Sequence, residues 1–255
     1  MKYFFYYTKI IEEEMLFDIG FNLYDMGHLI WLAVIVAVCI LFSNWYKKQP
    51  ELTRTKTKKF FAIALLVSEI LKDLVLWVAG APMIEYLPFH LCSFAIFGLL
   101  FDAFGRWQHI TGQMIAFAFC PGAVAALLFC NWTELPFLNY LNIHSFVFHG
   151  WIVIYFVMIY RGGEVKPEYK GIWKTVGVIL PAAVPVFIFN CIFEQNYLFL
   201  NEASEGSPLV PIWNIFGTRF GLPGYIFGAI LLVIVVFHVL YAVYGLLDKT
   251  SKKRG

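Results

Sequence analysis

Charge is what this chain of 255 residues has least of. Asp, Glu, Lys and Arg make up 14% of it, hydrophobic residues 60%, and the mean hydropathy is +0.72. Soluble domains carry about a quarter charged residues, so a globule dressed for water is excluded. There is no glycine-rich phosphate loop, no HExxH and no GxSxG, which leaves nucleotide-driven transport and serine hydrolysis without support. The apolar runs are continuous rather than alternating, which argues against a β-barrel. Five cysteines (Cys39, Cys92, Cys120, Cys130, Cys191) include no CxxC pair, so neither a redox motif nor a disulfide framework is indicated. At most Cys130 and Cys191, both near helix ends on one side, are placed for a bridge. The opening residues lack the order of a cleavable secretory leader, because Glu12, Glu13 and Glu14 stand where small residues belong. No repeat of solenoid length is present.

What is there is apolar sequence in lengths that fit a bilayer. Runs of about 20 mainly apolar residues, enough to cross roughly 30 Å of hydrocarbon as a helix, occur at 25–46, 60–80, 88–104, 109–130, 142–160, 172–193 and 222–247. The expected fold is all-α: a polytopic membrane protein with seven transmembrane helices in one bundle over 25–247. An interfacial segment, 1–24, precedes it and a basic tail, 248–255, follows. Lys and Arg collect on the cytoplasmic side of membrane proteins. Here Lys47, Lys48, Arg54, Lys56, Lys58 and Lys59 crowd the first loop, and Arg106, Arg161, Lys166, Lys170, Lys174 and the tail fall on the same side. This sets the amino terminus outside, the carboxyl terminus inside, and the chain as a multi-pass protein of the cell (plasma) membrane. The net charge of +2 is accounted for by topology, and no nucleic-acid partner is indicated. Pro121 with Gly122 in the fourth run, and Pro181 with Pro185 in the sixth, predict kinks that open space between helices.

Ionisable residues inside a span are costly, face the bundle interior and often mark function. Counting about 1.5 Å of rise per residue, His28, Lys72, Asp73, His90, Cys92, His144, His149 and Asn190 fall at one depth near the outer surface, with Glu69 somewhat deeper. That depth is where phospholipid esters meet acyl chains, so membrane phospholipids are the expected partners. No cofactor is called for. His144 and His149 are five residues apart, which a regular helix separates by about 140° around its axis. One should face the cavity and the other a neighbouring helix, and the bland reading of each is a helix-to-helix hydrogen bond. Glu69, Lys72 and Asp73 read equally well as an internally neutralised set that locks the second helix in place. A buried cysteine is more often filler than nucleophile. A base at the same depth, His149 or His144, would make Cys92 a candidate nucleophile.

The motifs LPFHLCSF, HSFVFHGW and GHLIWL resemble those of the bacterial YwaF-type integral membrane family. That family is similar to eukaryotic multi-span proteins that include an ether-phospholipid acyltransferase with a proposed cysteine and histidine. More distantly, it is similar to the androgen-induced membrane hydrolases. The resemblance implies a nucleophile at Cys92, with His149 as its histidine. The sequence reading is a membrane-embedded lipid acyltransferase or lipid hydrolase with catalytic Cys92 and His149, supported by His28, His90, His144, Lys72, Asp73 and Asn190. One alternative is a zinc hydrolase ligated by His144, His149 and His90. Another is a transporter or ligand-binding protein without catalysis.

Overall fold

The structure, a computed structural model, describes residues 4, 5, 7, 20–130, 132–204 and 206–252. Most of the expected interfacial segment, 1–24, and the end of the tail lie outside the described residues. Among those described, the architecture is entirely helical. Seven main helices run α1 (Met26–Tyr46), α2 (Glu51–Val78), α3 (Leu91–Ala103), α4, α5 (Tyr140–Arg161), α6 (Tyr169–Phe193) and α7 (Thr218–Lys252). Helix α4 is built of Gln108–Met114, a π turn at Ile115–Phe119 and Cys120–Leu128.

Burial runs opposite to hydropathy. Helices α1, α6 and the stretch Val210–Lys249, which holds most of α7, have mean hydropathies of 2.4, 2.3 and 2.8, yet only 17%, 11% and 11% of their apolar windows are buried. The α4 region and α5, less apolar at 2.0 and 1.7, are 56% and 50% buried. A water-soluble fold would hide its most apolar helices first. This one turns them outward, as a bundle solvated by hydrocarbon does. The buried positions of α1 show the seam: His28, Ile35, Cys39, Ser43 and Tyr46 recur at helical spacing on one face. Leu29, Val34, Val36 and Leu41 remain exposed on the other.

Among the described residues, five helices are long and apolar enough to cross a membrane by length and composition. The other two fall short for local reasons. Helix α3 has 13 residues rather than the 17 of 88–104, since Pro88 and an extended His90 (φ −79°, ψ 157°) delay its start. Gly105 at φ +73° and Trp107 at φ +51° end it. Helix α2 carries Glu69, Lys72 and Asp73 in its second half. It also starts earlier than expected, at Glu51 after Pro50, so Arg54 and Lys58 are not loop residues. They lie in its first turns.

The proline of α4 produces a wider turn rather than a simple kink. In the π register the carbonyl of Ala116 faces Pro121, which has no N–H to give. The Tyr244 hydroxyl of α7 donates to that carbonyl instead, at 2.8 Å. Helix α6 keeps Pro181 and Pro185 within a continuous helix. All five cysteines are free thiols, Cys130 buried and Cys191 exposed, so the bridge considered between those two is not formed.

Candidate functional site

Among the described residues, two polar clusters sit inside this apolar bundle, one toward each end. The first lies where α1, α3 and α5 begin and α2, α4 and α6 finish, and it is rich in histidine. On α2, Lys72 Nζ bonds Glu69 Oε1 at 2.8 Å and lies 3.1 Å from Asp73 Oδ1. The Asp73 contact is an ion pair without hydrogen-bond geometry, for that oxygen is buried with no hydrogen-bond partner. Glu69 also reaches α3 and α5. Ser93 Oγ donates to it at 3.4 Å, and His144 Nε2 stands 3.8 Å from its second oxygen. Ser68 Oγ is 3.3 Å from the same His144 nitrogen. Glu69 is thus the hub of three helices.

His149 is one turn deeper on α5. Its Nδ1 lies 2.7 Å from the Ser145 carbonyl. A carbonyl only accepts, so Nδ1 carries the proton, and in the neutral ring Nε2 holds a free lone pair. Among the described residues Nε2 has no hydrogen-bond partner. Trp132 stacks on the imidazole with centroids 5.0 Å apart and planes at 10°. His149 is within electrostatic reach of both His144 and His90.

His90 is the N-cap of α3 and packs its ring edge-on against Tyr197, at 5.0 Å. Cys92 follows in the first turn, beside the charge of Glu69. The N–H groups of Leu91 and Cys92 have no hydrogen-bond partner among the described residues, as expected of the first turn of a helix. No hydrogen bond joins Cys92 to His149 or His144 among the described residues. They share a layer through His90 and Glu69.

Other residues expected at the site are used for architecture. His28 is fully buried, accepting from Tyr24 N–H at Nδ1 (2.9 Å) and donating from Nε2 to the Leu127 carbonyl (2.8 Å). Both its nitrogens are engaged. Asn190 exchanges two bonds with the Tyr197 backbone, at 2.8 and 3.0 Å, which ties the loop after α6 down over the cluster. Tyr197 then donates its hydroxyl to Ile84 O at 2.6 Å and accepts from Leu87 N–H at 2.9 Å. Burial pushes that phenol up to about 12, so it stays protonated and able to donate at neutral pH. No three His, Cys, Asp or Glu side chains converge to hold a metal ion among the described residues. The ligand set His144, His149 and His90 is therefore not assembled.

The second cluster lies at the opposite, basic end and was missed by sequence reasoning. Lys58 Nζ pairs with Glu164 Oε2 at 2.8 Å and lies 3.7 Å from Asp102 Oδ2. Tyr155 donates to Asp102 at 2.7 Å, and Tyr46 donates to Glu164. Arg54 caps the Gly162 carbonyl at 2.8 Å and stands 4.0 Å from Glu164. The one available signal was Asp102, an acid inside the apolar run GLLFDAFG.

A helical bundle with its most apolar faces turned outward and its ionisable groups gathered in two internal layers defines a multi-pass membrane protein. More narrowly, the chain belongs to the TMEM164 family, whose model matches residues 23–241. No curated protein and no solved structure is matched.

Proposed function

We propose that this protein is a lipid acyltransferase or lipid hydrolase of the plasma membrane, working with Cys92 and His149 in a seven-span bundle whose amino terminus faces outward. The observation that carries the reading is the fixed tautomer of His149. Its Nδ1–H is committed to Ser145 O, which leaves Nε2 as a proton acceptor in the layer that holds Cys92. The motif likeness to the YwaF-type family, and through it to an ether-phospholipid acyltransferase, supports the same pair.

Nε2 of His149 takes the Cys92 thiol proton, and the sulfur attacks the carbonyl carbon of a phospholipid ester. The oxyanion is met by the free N–H groups at the start of α3, which point along the positive end of the helix dipole. The C–O bond breaks, the departing alkoxide takes the proton from His149, and the acyl group remains as a thioester on Cys92. Water, or the hydroxyl of a second lipid, then attacks the thioester while His149 accepts its proton. The sulfur leaves as thiolate and recovers a proton from His149.

The test is turnover of defined phospholipids by the full chain in vesicles, with lipids resolved by mass spectrometry. Cys92→Ala and His149→Gln should each lower turnover by at least about a hundredfold. A thiol-directed lipid-like probe should label Cys92 in the parent and in no Cys92→Ala sample. Turnover unchanged in Cys92→Ala removes the thiol mechanism.

A further inference from the structure

Below Cys92 the bundle is open on one side. Helices α3 and α6 both pack against α4, and between them runs a groove of about 350 Å³, within the range of ligand sites. Leu91, Phe94 and Gly98 of α3 form one wall, Phe119 of α4 the floor and Ala182 of α6 the far wall. The lining has one polar member, Thr111, and its hydroxyl is turned back onto the Trp107 carbonyl at 3.3 Å. Phe97, Phe101 and Val178 at the rim are exposed, so the open side meets whatever surrounds the bundle. In a bilayer that is hydrocarbon.

Two further features define an occupant. The α3 wall from Leu91 to Phe101 is ten steps, about 15 Å, which is half of the roughly 30 Å of hydrocarbon in a bilayer. That is one leaflet, the reach of a single acyl chain. Its upper end starts one residue from Cys92, and Leu198, whose neighbours Tyr197 and Phe199 pack on His90 at that end, lines it too. Leu198 and Phe199 both hold left-handed backbone, φ +57° and +54°, a conformation that costs a side-chain-bearing residue free energy. The surrounding contacts over-determine it: Asn190 and Ile84 hold Tyr197, and the Tyr225 hydroxyl donates to Phe199 O at 2.7 Å. Strain kept in place at the head of an apolar groove marks a built feature.

We infer that the groove between α3, α4 and α6 seats one long acyl chain of a membrane phospholipid, entered sideways from the bilayer and stopped at its upper end by Leu198. The chain's ester then lies beside Cys92, and this last step alone rests on the acyl-transfer reading.

The experiment uses the full chain in phosphatidylcholine nanodiscs containing a phosphatidylcholine with a diazirine near the end of one acyl chain. After irradiation, label is mapped by peptide mass spectrometry. Label should concentrate on α3 from Phe94 to Phe101 and on α4 from Ile110 to Phe119, above the level on the lipid-facing side of α1. Ala182→Phe fills the groove and should lower the α3 and α4 label by about tenfold, with the α1 label unchanged as evidence of a folded, embedded chain. Leu198→Gly accepts the left-handed backbone without strain and widens the upper end, so groove label should rise. Equal label on α3 and α1, or no loss in Ala182→Phe, overturns the groove as a seat and leaves ordinary boundary lipid. No rise in Leu198→Gly overturns the stopper. Cys92→Ala separates the two proposals: it should keep groove label while losing turnover. If turnover survives in it and groove label still falls in Ala182→Phe, the lipid seat stands without thiol chemistry.

Discussion

The two polar clusters hold similar residues and treat them differently. At the basic end every charge of the Lys58, Asp102 and Glu164 set faces an opposite charge, and two tyrosine hydroxyls complete the carboxylates. At the histidine end Lys72 and Glu69 neutralise each other, but His149 Nε2, the Cys92 thiol and the first N–H groups of α3 have no partner among the described residues. A saturated buried network is a fastening, since any change leaves a charge stranded. An incompletely saturated one keeps groups available for something else to bind or react with. Burial alone would have ranked the two clusters together. The count of unfilled hydrogen-bonding positions separates them.

The contrast is broken most severely by Lys58→Met, which leaves buried Asp102 with no cation and Glu164 with Arg54 alone at 4.0 Å, and should cost about 3–5 kcal/mol of stability, read as unfolding of the full chain in detergent. Adding Asp102→Leu and Glu164→Gln to Lys58→Met should recover much of that loss, because an uncharged replacement of a buried network is far less costly than a broken one. Glu69→Gln should come next, at about 1.5–3 kcal/mol, since Lys72 keeps Asp73 while the link to Ser93 and His144 is weakened. The smallest effect is expected at His149 and Cys92. His149→Gln and Cys92→Ala should each change stability by about 1 kcal/mol or less, although both are to abolish turnover. If either unfolded the protein as Lys58→Met does, the histidine end would be a fastening as well.

Much of this was legible in residue order. Helix positions follow from apolar length, and α1, α5 and α6 begin and end within a few residues of their apolar runs. Counting depth along helices of alternating direction puts His90, Cys92 and His144 in one layer and Glu69 somewhat deeper; the contacts of Glu69 with Ser93 and His144 come from packing. The basic-end network was hidden because Lys58 read as one more loop lysine and Asp102 as a lone acid. They meet only when α2 starts at Glu51 and the loop after α5 brings Glu164 back over them. The roles of His28 and Asn190 were hidden for a related reason. Their partners, Leu127 O and the Tyr197 backbone, are backbone groups that carry no mark in the sequence.

By itself the sequence determined the solvent of this protein and the depth of its polar groups, because apolar length and helical rise are properties of each segment alone. Tertiary structure decided which of those groups are spent and which are free, and that a groove opens beneath Cys92. Both depend on rotation of helices about their axes and on loops returning over them, and one rotation exchanges a lipid-facing side chain for a buried one without any change in composition.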